Sequence, residues 1–268
     1  MNDLLYWIWF SRIKNLGSIR KQKLLEKYHH PNKIWKCNRE ELLQIEGIGE
    51  ETAQNILSHT YKEGLEEMAN KMKKEKIELI TIFDEEYPET LKQLYDKPIS
   101  LYVKGNKKIL NEFCLAMIGC RENSSYGKQM ATAIARGLAR QKITTISGLA
   151  RGIDGISHKE TLQAGGRTIA VIGSGLDIIY PYENEKLAKE IIQKDGALVS
   201  EYPLGTKPER LHFPARNRMI SGLSSGVIVI EAKKKSGTMT TVDFALEQGK
   251  TIFAIPRKYH KPKCRRHK

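Results

Sequence analysis

From Ile77 onward the chain alternates short β-rich runs with helix-like segments, and nearly every run ends in glycine or a polar cluster. The candidate strands are Ile77–Phe83, Ile99–Val103, Cys114–Ile118, Ile143–Ile146, Thr168–Ile172, Ala197–Val199, Val227–Ile230 and Thr251–Ile255. Helical patterns fall between the later ones, at 125–141, 153–164, 184–194, 214–222 and 238–248. Strand–helix alternation with connections this short predicts right-handed βαβ units and an α/β, mostly parallel sheet flanked by helices. In such sheets a ligand sits beyond the C-terminal ends of the strands.

Those ends carry the chemistry. Ile118 leads to Gly119-Cys120-Arg121, and Ile146 to Ser147-Gly148-Leu149-Ala150-Arg151-Gly152-Ile153-Asp154. Ile172 leads to Gly173-Ser174-Gly175-Leu176-Asp177, Val199 to Ser200-Glu201-Tyr202, and Ile230 to Glu231 and then Ser236-Gly237-Thr238. Glycine permits close backbone approach, while hydroxyls and helix-start amides donate to phosphate or sugar oxygens. Common nucleotide motifs fail. Gly173-Ser174-Gly175 has Ile178 where a dinucleotide fingerprint needs its third glycine, and Gly249-Lys250-Thr251 follows a helix with Phe244 in place of the earlier glycine. ATP and NAD are not supported, and no cofactor is expected.

The segment Phe213-Pro214-Ala215-Arg216-Asn217-Arg218 sets two arginines around an asparagine beside an aromatic ring. Arginine meets phosphate with a bidentate fork and Phe213 can stack on a base, which suits a nucleic-acid strand. The plainer reading is that Arg216 and Arg218 pair with Glu201 or Glu231 and hold the segment on the sheet. We expect both, with one arginine facing inward and one outward. Arg151 is read evenly as a phosphate contact or an internal clamp, and Lys128 as a phosphate contact or a surface lysine. Lys233-Lys234-Lys235 read as a solvated run beside the site. Asp154 and His158, four apart, lack a third ligand, so helix capping and a hydrogen-bonded histidine are expected rather than a metal.

The first 76 residues read as a small all-α domain of short helices, followed by the α/β domain at 77–256. Within the first lies Leu42-Leu43-Gln44-Ile45-Glu46-Gly47-Ile48-Gly49-Glu50-Glu51-Thr52-Ala53, a helix, a glycine hairpin and a second helix. It resembles a helix-hairpin-helix motif, usually a contact to DNA backbone. Glu46, Glu50 and Glu51 flank the turn and oppose phosphate, so packing is the favoured role here. Residues 62–76 read as a charged helix with a solvated face. The apolar run Leu4–Phe10 is short, follows Asp3 and lacks a small-residue cleavage site, so it does not read as a signal peptide. No run approaches the roughly 18–20 apolar residues of a membrane helix. Four cysteines without a CxxC pair argue against a disulfide framework or a zinc ribbon. A cytoplasmic protein is expected, with no metal and no membrane partner.

Several motifs together resemble the DprA/Smf DNA-processing family. They are Ser-Gly-Leu-Ala-Arg-Gly-Ile-Asp at 147–154, Gly-Ser-Gly-Leu-Asp at 173–177 with Tyr180-Pro181, Ser200-Glu201-Tyr202-Pro203, Phe213–Arg218, and Ser236-Gly237-Thr238 before Ala245-Leu246-Glu247-Gln248-Gly249. The resemblance runs from about Leu79 to Pro256, and the helical part looks like the family's sterile-alpha-motif-like or helix-hairpin-helix extension. It implies a Rossmann-like domain that binds single-stranded DNA without catalysis, protects it during natural transformation and delivers it to the RecA recombinase, commonly as a homodimer. A Gly-Ser/Thr-Arg turn of the family contributes to the DNA pocket. Here it reads Gly119-Cys120-Arg121, losing a hydroxyl but keeping the arginine. The DNA-contacting set expected is therefore Gly119, Arg121, Lys128, Ser147, Gly148, Arg151, Gly173, Ser174, Gly175, Phe213, Arg216, Asn217, Arg218, Ser236, Gly237 and Thr238. A nucleotide phosphoribohydrolase of related architecture is the alternative, with Glu231 or Glu201 as its carboxylate.

The formal charge of +14 is unevenly placed. Residues 257–268 hold seven basic and no acidic residues, half of the excess. The resemblance stops at Pro256, where family members continue with a Gly-Asn-Ile type turn. One permitted codon choice for Arg257–Lys268, read one base later, encodes Gly-Asn-Ile-Thr-Ser-Pro-Asn-Ala-Glu-Gly-Thr. The tail is read as the product of a single-base insertion near codon 257, whether a mutation or a sequencing error. The spacing of His260, Cys264 and His267, loosely metal-like, then has no functional meaning. On this reading the natural C-terminal part is missing, and binding and dimerisation are both weakened.

Overall fold

The computed structural model describes residues 2–233 and 236–256. The tail at 257–268, Lys234 and Lys235 lie outside the described residues.

Six short helices open the chain: α1 (Asp3–Arg12), α2 (Ser18–Tyr28), α3 (Pro31–Ile34), α4 (Arg39–Leu43), α5 (Glu50–Leu57) and α6 (Leu65–Lys74). A helix apolar on all sides must be surrounded, and α1 is: Trp7, Ile8, Trp9 and Phe10 are all buried. Pro31 sits at the start of α3, where its missing N–H costs nothing, and Asn38 with Glu41 forms a capping box on α4. The hairpin between α4 and α5 turns through Gly47 at φ 85°. The three glutamates around it meet partners in the same segment: Glu46 pairs with Lys23, Glu50 with Arg39, and Glu51 accepts from Asn15. The charged face of α6 is exposed as expected, at Glu66, Glu67, Lys71, Lys73 and Lys74, and two ion pairs reach from its end to the α/β part. Lys71 reaches Asp177 at 2.5 Å and Glu75 meets Lys104 at 3.2 Å, so this helix is stitched to the sheet.

The remainder builds β1 (Ile77–Thr81), α7 (Glu89–Lys92), β2 (Ser100–Gly105), β3 (Cys114–Gly119), α8 (Ser125–Arg140), β4 (Thr144–Ser147), α9 (Ile153–Gln163) and β5 (Thr168–Val171). It continues with α10 (Glu185–Gln193), β6 (Ala197–Ser200), α11 (His212–Leu223), β7 (Gly226–Glu231), α12 (Gly237–Glu247) and β8 (Thr251–Ala254). One sheet results, in the order β1-β2-β6-β5-β4-β3-β7-β8. The six strands from β6 to β8 are parallel, while β1 and β2 pair antiparallel. Residues 82–99 join β1 to β2 with only the four-residue α7 as helix, so no long helix carries a crossover between them. Every residue of β4, β5 and β6 is buried, as expected for strands covered on both faces.

Alternate strand residues feed two large cores, and a smaller cluster joins Met117, Ile228 and Ile230 to Ala131 and Ala135 of α8. Tyr102, Ala170 and Leu198 join the buried helical segment and α10 on one face, through Trp9, Leu24, Ile34 and Ile191. Leu101, Val171 and Val199 join Leu91, Met219 and Ile220 of α7 and α11 on the other. The helical segment thus shares a core with the sheet.

His158 of α9 is fully buried, with Nδ1 2.7 Å from the Thr168 hydroxyl. Burial, aided by the nearby Arg216 charge, pulls its pKa down to about 3 from an ordinary 6.5. Between those values the unfolded chain binds a proton that the folded chain refuses. Stability should therefore fall as pH drops through this window, by at most about 1.4 kcal/mol per unit from this group. Urea unfolding at pH 7 and pH 4.5 tests this: His158→Gln should lose less stability between the two than the wild type, and equal losses contradict it.

Candidate nucleic-acid interface

Strands β3, β4 and β5 lie side by side and release their loops at one edge, and the first turns of α11 lie across them. The pocket so formed encloses about 470 Å³ of empty space, its open mouth included. Its walls are Arg121 from the β3 loop, Gly148, Ala150 and Arg151 from the β4 loop, and Gly173 and Ser174 from the β5 loop. Tyr180 and Pro181 close one side, and α11 contributes Phe213 and Arg216.

The floor is Arg216, only 5% exposed. One terminal nitrogen donates to the carbonyls of Gly148 (2.6 Å) and Val171, and Nε donates to the Asn217 side chain at 3.1 Å. Among the described residues it has no ion-pair partner, and Nη2 has no hydrogen-bond acceptor. Burial pulls its pKa down to about 10; Asp154 works against this and Arg121 with it. Such a group is a buried cation held by neutral carbonyls, with one donor left for a ligand.

Asp154 supports that floor. Its carboxylate accepts the Gly148 and Ala150 amides at 3.1 and 3.4 Å, closing the loop in front of α9. It therefore fixes a loop and does not cap its helix. Burial raises its pKa, opposed first by the Arg216 charge. Gly152 completes the turn with φ 76°, and a Cβ there would lie 2.4 Å from the Arg121 carbonyl oxygen. No side chain fits.

The rim is cationic and aromatic. Arg121 is exposed, with its guanidinium carbon 5.9 Å from the Phe213 ring centre. Phe213 in turn lies 5.7 Å from Tyr180. Arg151 is exposed and meets Glu183 at 2.5 Å. Tyr180 and Pro181 stand outside the expected contact set, and their place in the family motif after the glycine loop is the sequence signal for them.

Several expected contacts lie elsewhere. The expectation of one inward and one outward arginine is wrong: Arg216 and Arg218 are both buried. Arg218 makes the ion pairs expected of a clamp, to Glu201 at 2.7 Å and Asp96 at 2.8 Å, and also meets the Ser18 hydroxyl of α2 at 3.1 Å. Burial opposes its charge, but Glu201 and Asp96 outweigh burial and hold its pKa above the ordinary value. Glu231 pairs with neither arginine and instead accepts from Ser124. The Ser147 and Ser174 hydroxyls are buried and donate to the carbonyls of Met117 and Ile178, so they cannot donate outward as expected. Gly119 packs so tightly on Ile153 that an added Cβ would lie 2.5 Å away, and Gly175 packs on Pro203. Neither lines the pocket. Asn217 is buried and reaches the Gly237 carbonyl at 3.2 Å, so Ser236, Gly237 and Thr238 connect to the site through it without lining the pocket. Lys128 is exposed on the first turn of α8, off the pocket wall. Lys233 meets Glu122 at 3.3 Å. Among the described residues no cluster of His, Cys, Asp and Glu could hold a metal, and no helix is long and apolar enough to cross a membrane.

Sheet order, helical extension and strand-end pocket define a Rossmann-like α/β protein preceded by a helix-hairpin-helix segment. The family model for DNA recombination-mediator protein A matches residues 78–267, past Pro256, where the resemblance is expected to stop, and that for the helix-hairpin-helix motif matches residues 33–59. The chain belongs to the DNA recombination-mediator protein A family, which takes in the DprA and Smf proteins. It is 42% identical to protein Smf of Escherichia coli over 215 residues, covering 80% of this chain and 57% of that protein. It is 45% identical to DNA processing protein DprA of Bacillus subtilis over 181 residues, covering 67% and 61%. The chain thus spans less than two thirds of these curated relatives. The X-ray structure of Streptococcus pneumoniae DprA matches with a TM-score of 0.76 at 34% identity, covering 97% of this chain and 89% of that one. A Helicobacter pylori DprA structure, described for its single-stranded DNA binding mode, matches with a TM-score of 0.63 at 34% identity, covering 69% and 83%.

A Cβ at Gly148 would lie 2.7 Å from the Arg216 guanidinium. Gly148→Ala should push that group off its carbonyls and lower stability by about 1–3 kcal/mol in urea unfolding. In an Arg216→Ala background the same change should cost almost nothing. Equal costs in both backgrounds contradict the contact.

Proposed function

We propose that this chain binds single-stranded DNA in the strand-end pocket and performs no chemistry on it. Arg216 and Arg121 take phosphate, Phe213 beside Tyr180 takes a base, and the glycine loops let the strand approach the backbone. One observation carries the reading: among the described residues Arg216 is a buried cation with no carboxylate at ion-pair distance, Asp154 acting on it only from further off. An unpaired buried charge is costly, and a ligand phosphate supplies the missing counter-charge in a water-poor site. The aromatic and arginine rim suits a polymer, because base stacking tolerates any sequence.

The single-stranded DNA bound by the Helicobacter pylori relative supports this choice of polymer. On the family's account, the proposal extends to protection of incoming DNA during natural transformation and its transfer to RecA by a cytoplasmic homodimer. Residues 1–76 would act as the helical extension and 77–256 as the binding domain. The phosphoribohydrolase alternative is weaker, because both carboxylates it needs are engaged: Glu201 with Arg218 and Ser18, and Glu231 with Ser124.

Fluorescence anisotropy of a labelled oligothymidylate across a salt series tests the proposal. Affinity should exceed that for duplex and fall with salt. Arg121→Ala should weaken binding about tenfold and lower the salt slope by about 0.7, the share of one phosphate contact. Glu183→Gln, which frees Arg151, should tighten it. Unchanged binding in Arg121→Ala rejects the pocket, and release of free base from a nucleoside monophosphate would favour the alternative.

A further inference from the structure

In parallel α/β sheets the ordinary seat for a phosphate is the crevice where strand order reverses, against the N-terminus of the adjoining helix. Here that crevice lies between β3 and β7. From β3 the order runs through β4, β5 and β6 on one side, and through β7 and β8 on the other. Helix α8 starts there, sixteen residues long and capped by Ser124. The pocket described above touches this crevice only through Arg121 of the β3 loop and otherwise lies over β4 and β5.

The crevice is filled from within. Glu231, the last residue of β7, places Oε2 2.9 Å from the Ser124 amide and 3.1 Å from its hydroxyl, and both donate to it. The same hydroxyl accepts the Gly127 amide at 3.0 Å. Two independent features deliver the carboxylate to that spot. The β3–β7 register shifts at Ile118/Gly119, so that Gly119 pairs with Glu231 and Ile230 is passed over. An irregularity of this kind re-aims a side chain. Gly127 then makes room, since a Cβ there would lie 2.2 Å from Glu231 Oε2.

We infer that Glu231 is a built-in phosphate mimic that closes the usual nucleotide seat of this sheet to free phosphates. Ligand anions are thereby directed to the Arg216 pocket. The carboxylate satisfies the orphan amide and the positive end of α8, and its charge repels any second anion. Glu231 is therefore a specificity-determining residue, and this holds whether or not the pocket binds DNA.

The test is local. Inorganic phosphate is titrated into the full-length ¹⁵N-labelled chain at constant ionic strength, and the Ser124 and Gly127 amide resonances are followed. In the wild type they should stay in place to 20 mM phosphate, roughly a thousandfold above a typical tight site. In Glu231→Ser they should move saturably. Should Glu231→Ser not fold, the isosteric Glu231→Gln removes the repelling charge and should show the same shifts at higher phosphate. A folded variant whose Ser124 amide ignores phosphate overturns the inference, as does saturable movement in the wild type. Loss of DNA binding in the pocket would leave these amides unaffected, so the two readings fail separately.

Discussion

Two guanidinium groups two residues apart on α11 hold this molecule in register. At 3.6 residues per turn they point about 200° apart, to opposite sides of the helix. Arg218 ties α11 to Glu201 at the end of β6, to Asp96 and to the Ser18 hydroxyl of α2. Arg216 ties it to carbonyls at the C-terminal ends of β4 and β5. One charge is in contact with carboxylates inside the protein, and the other, among the described carboxylates, feels only Asp154, beyond ion-pair distance. Taking a partner from Arg218 would strand charges in the interior, whereas in the proposed function Arg216 meets its partner from outside.

Carboxylates decide where that outside partner can go. Asp154 stands behind the Gly148 loop and holds its amides, so the floor keeps its shape in the presence of a buried cation. Glu231 occupies the helix start at the reversal of strand order. Glu183 covers Arg151 at the rim. The single basic face that strand-end glycines and arginines suggest is thus divided. One crevice is internally neutralised, one cation is shielded, and one pocket is left electropositive with aromatic walls.

Much of the architecture was legible because it rests on local pattern. All eight strands and the five long helices of the α/β part appear within a few residues of the boundaries that apolar runs and glycine punctuation predict. The family was legible from ordered motifs. Side-chain direction was not. Ser147 and Ser174 sit in glycine-rich loops that look like donors, yet pleat and turn geometry point their hydroxyls inward. Arg216 and Arg218 look like a solvent-facing pair, and only the packing of α11 on the sheet shows both to be buried. The antiparallel edge was also hidden, because a strand's direction depends on the partner it finds. Tyr180 joined the pocket through the path of the loop after Gly175, which no spacing rule describes.

The most direct measurement is a structure of the full chain with a short oligothymidylate. The account predicts a phosphate oxygen at hydrogen-bond distance, about 2.8 Å, from Arg216 Nη2, with a base against Phe213. A strand seated on the helix-hairpin-helix segment or elsewhere, with Arg216 contacting no phosphate, would contradict it.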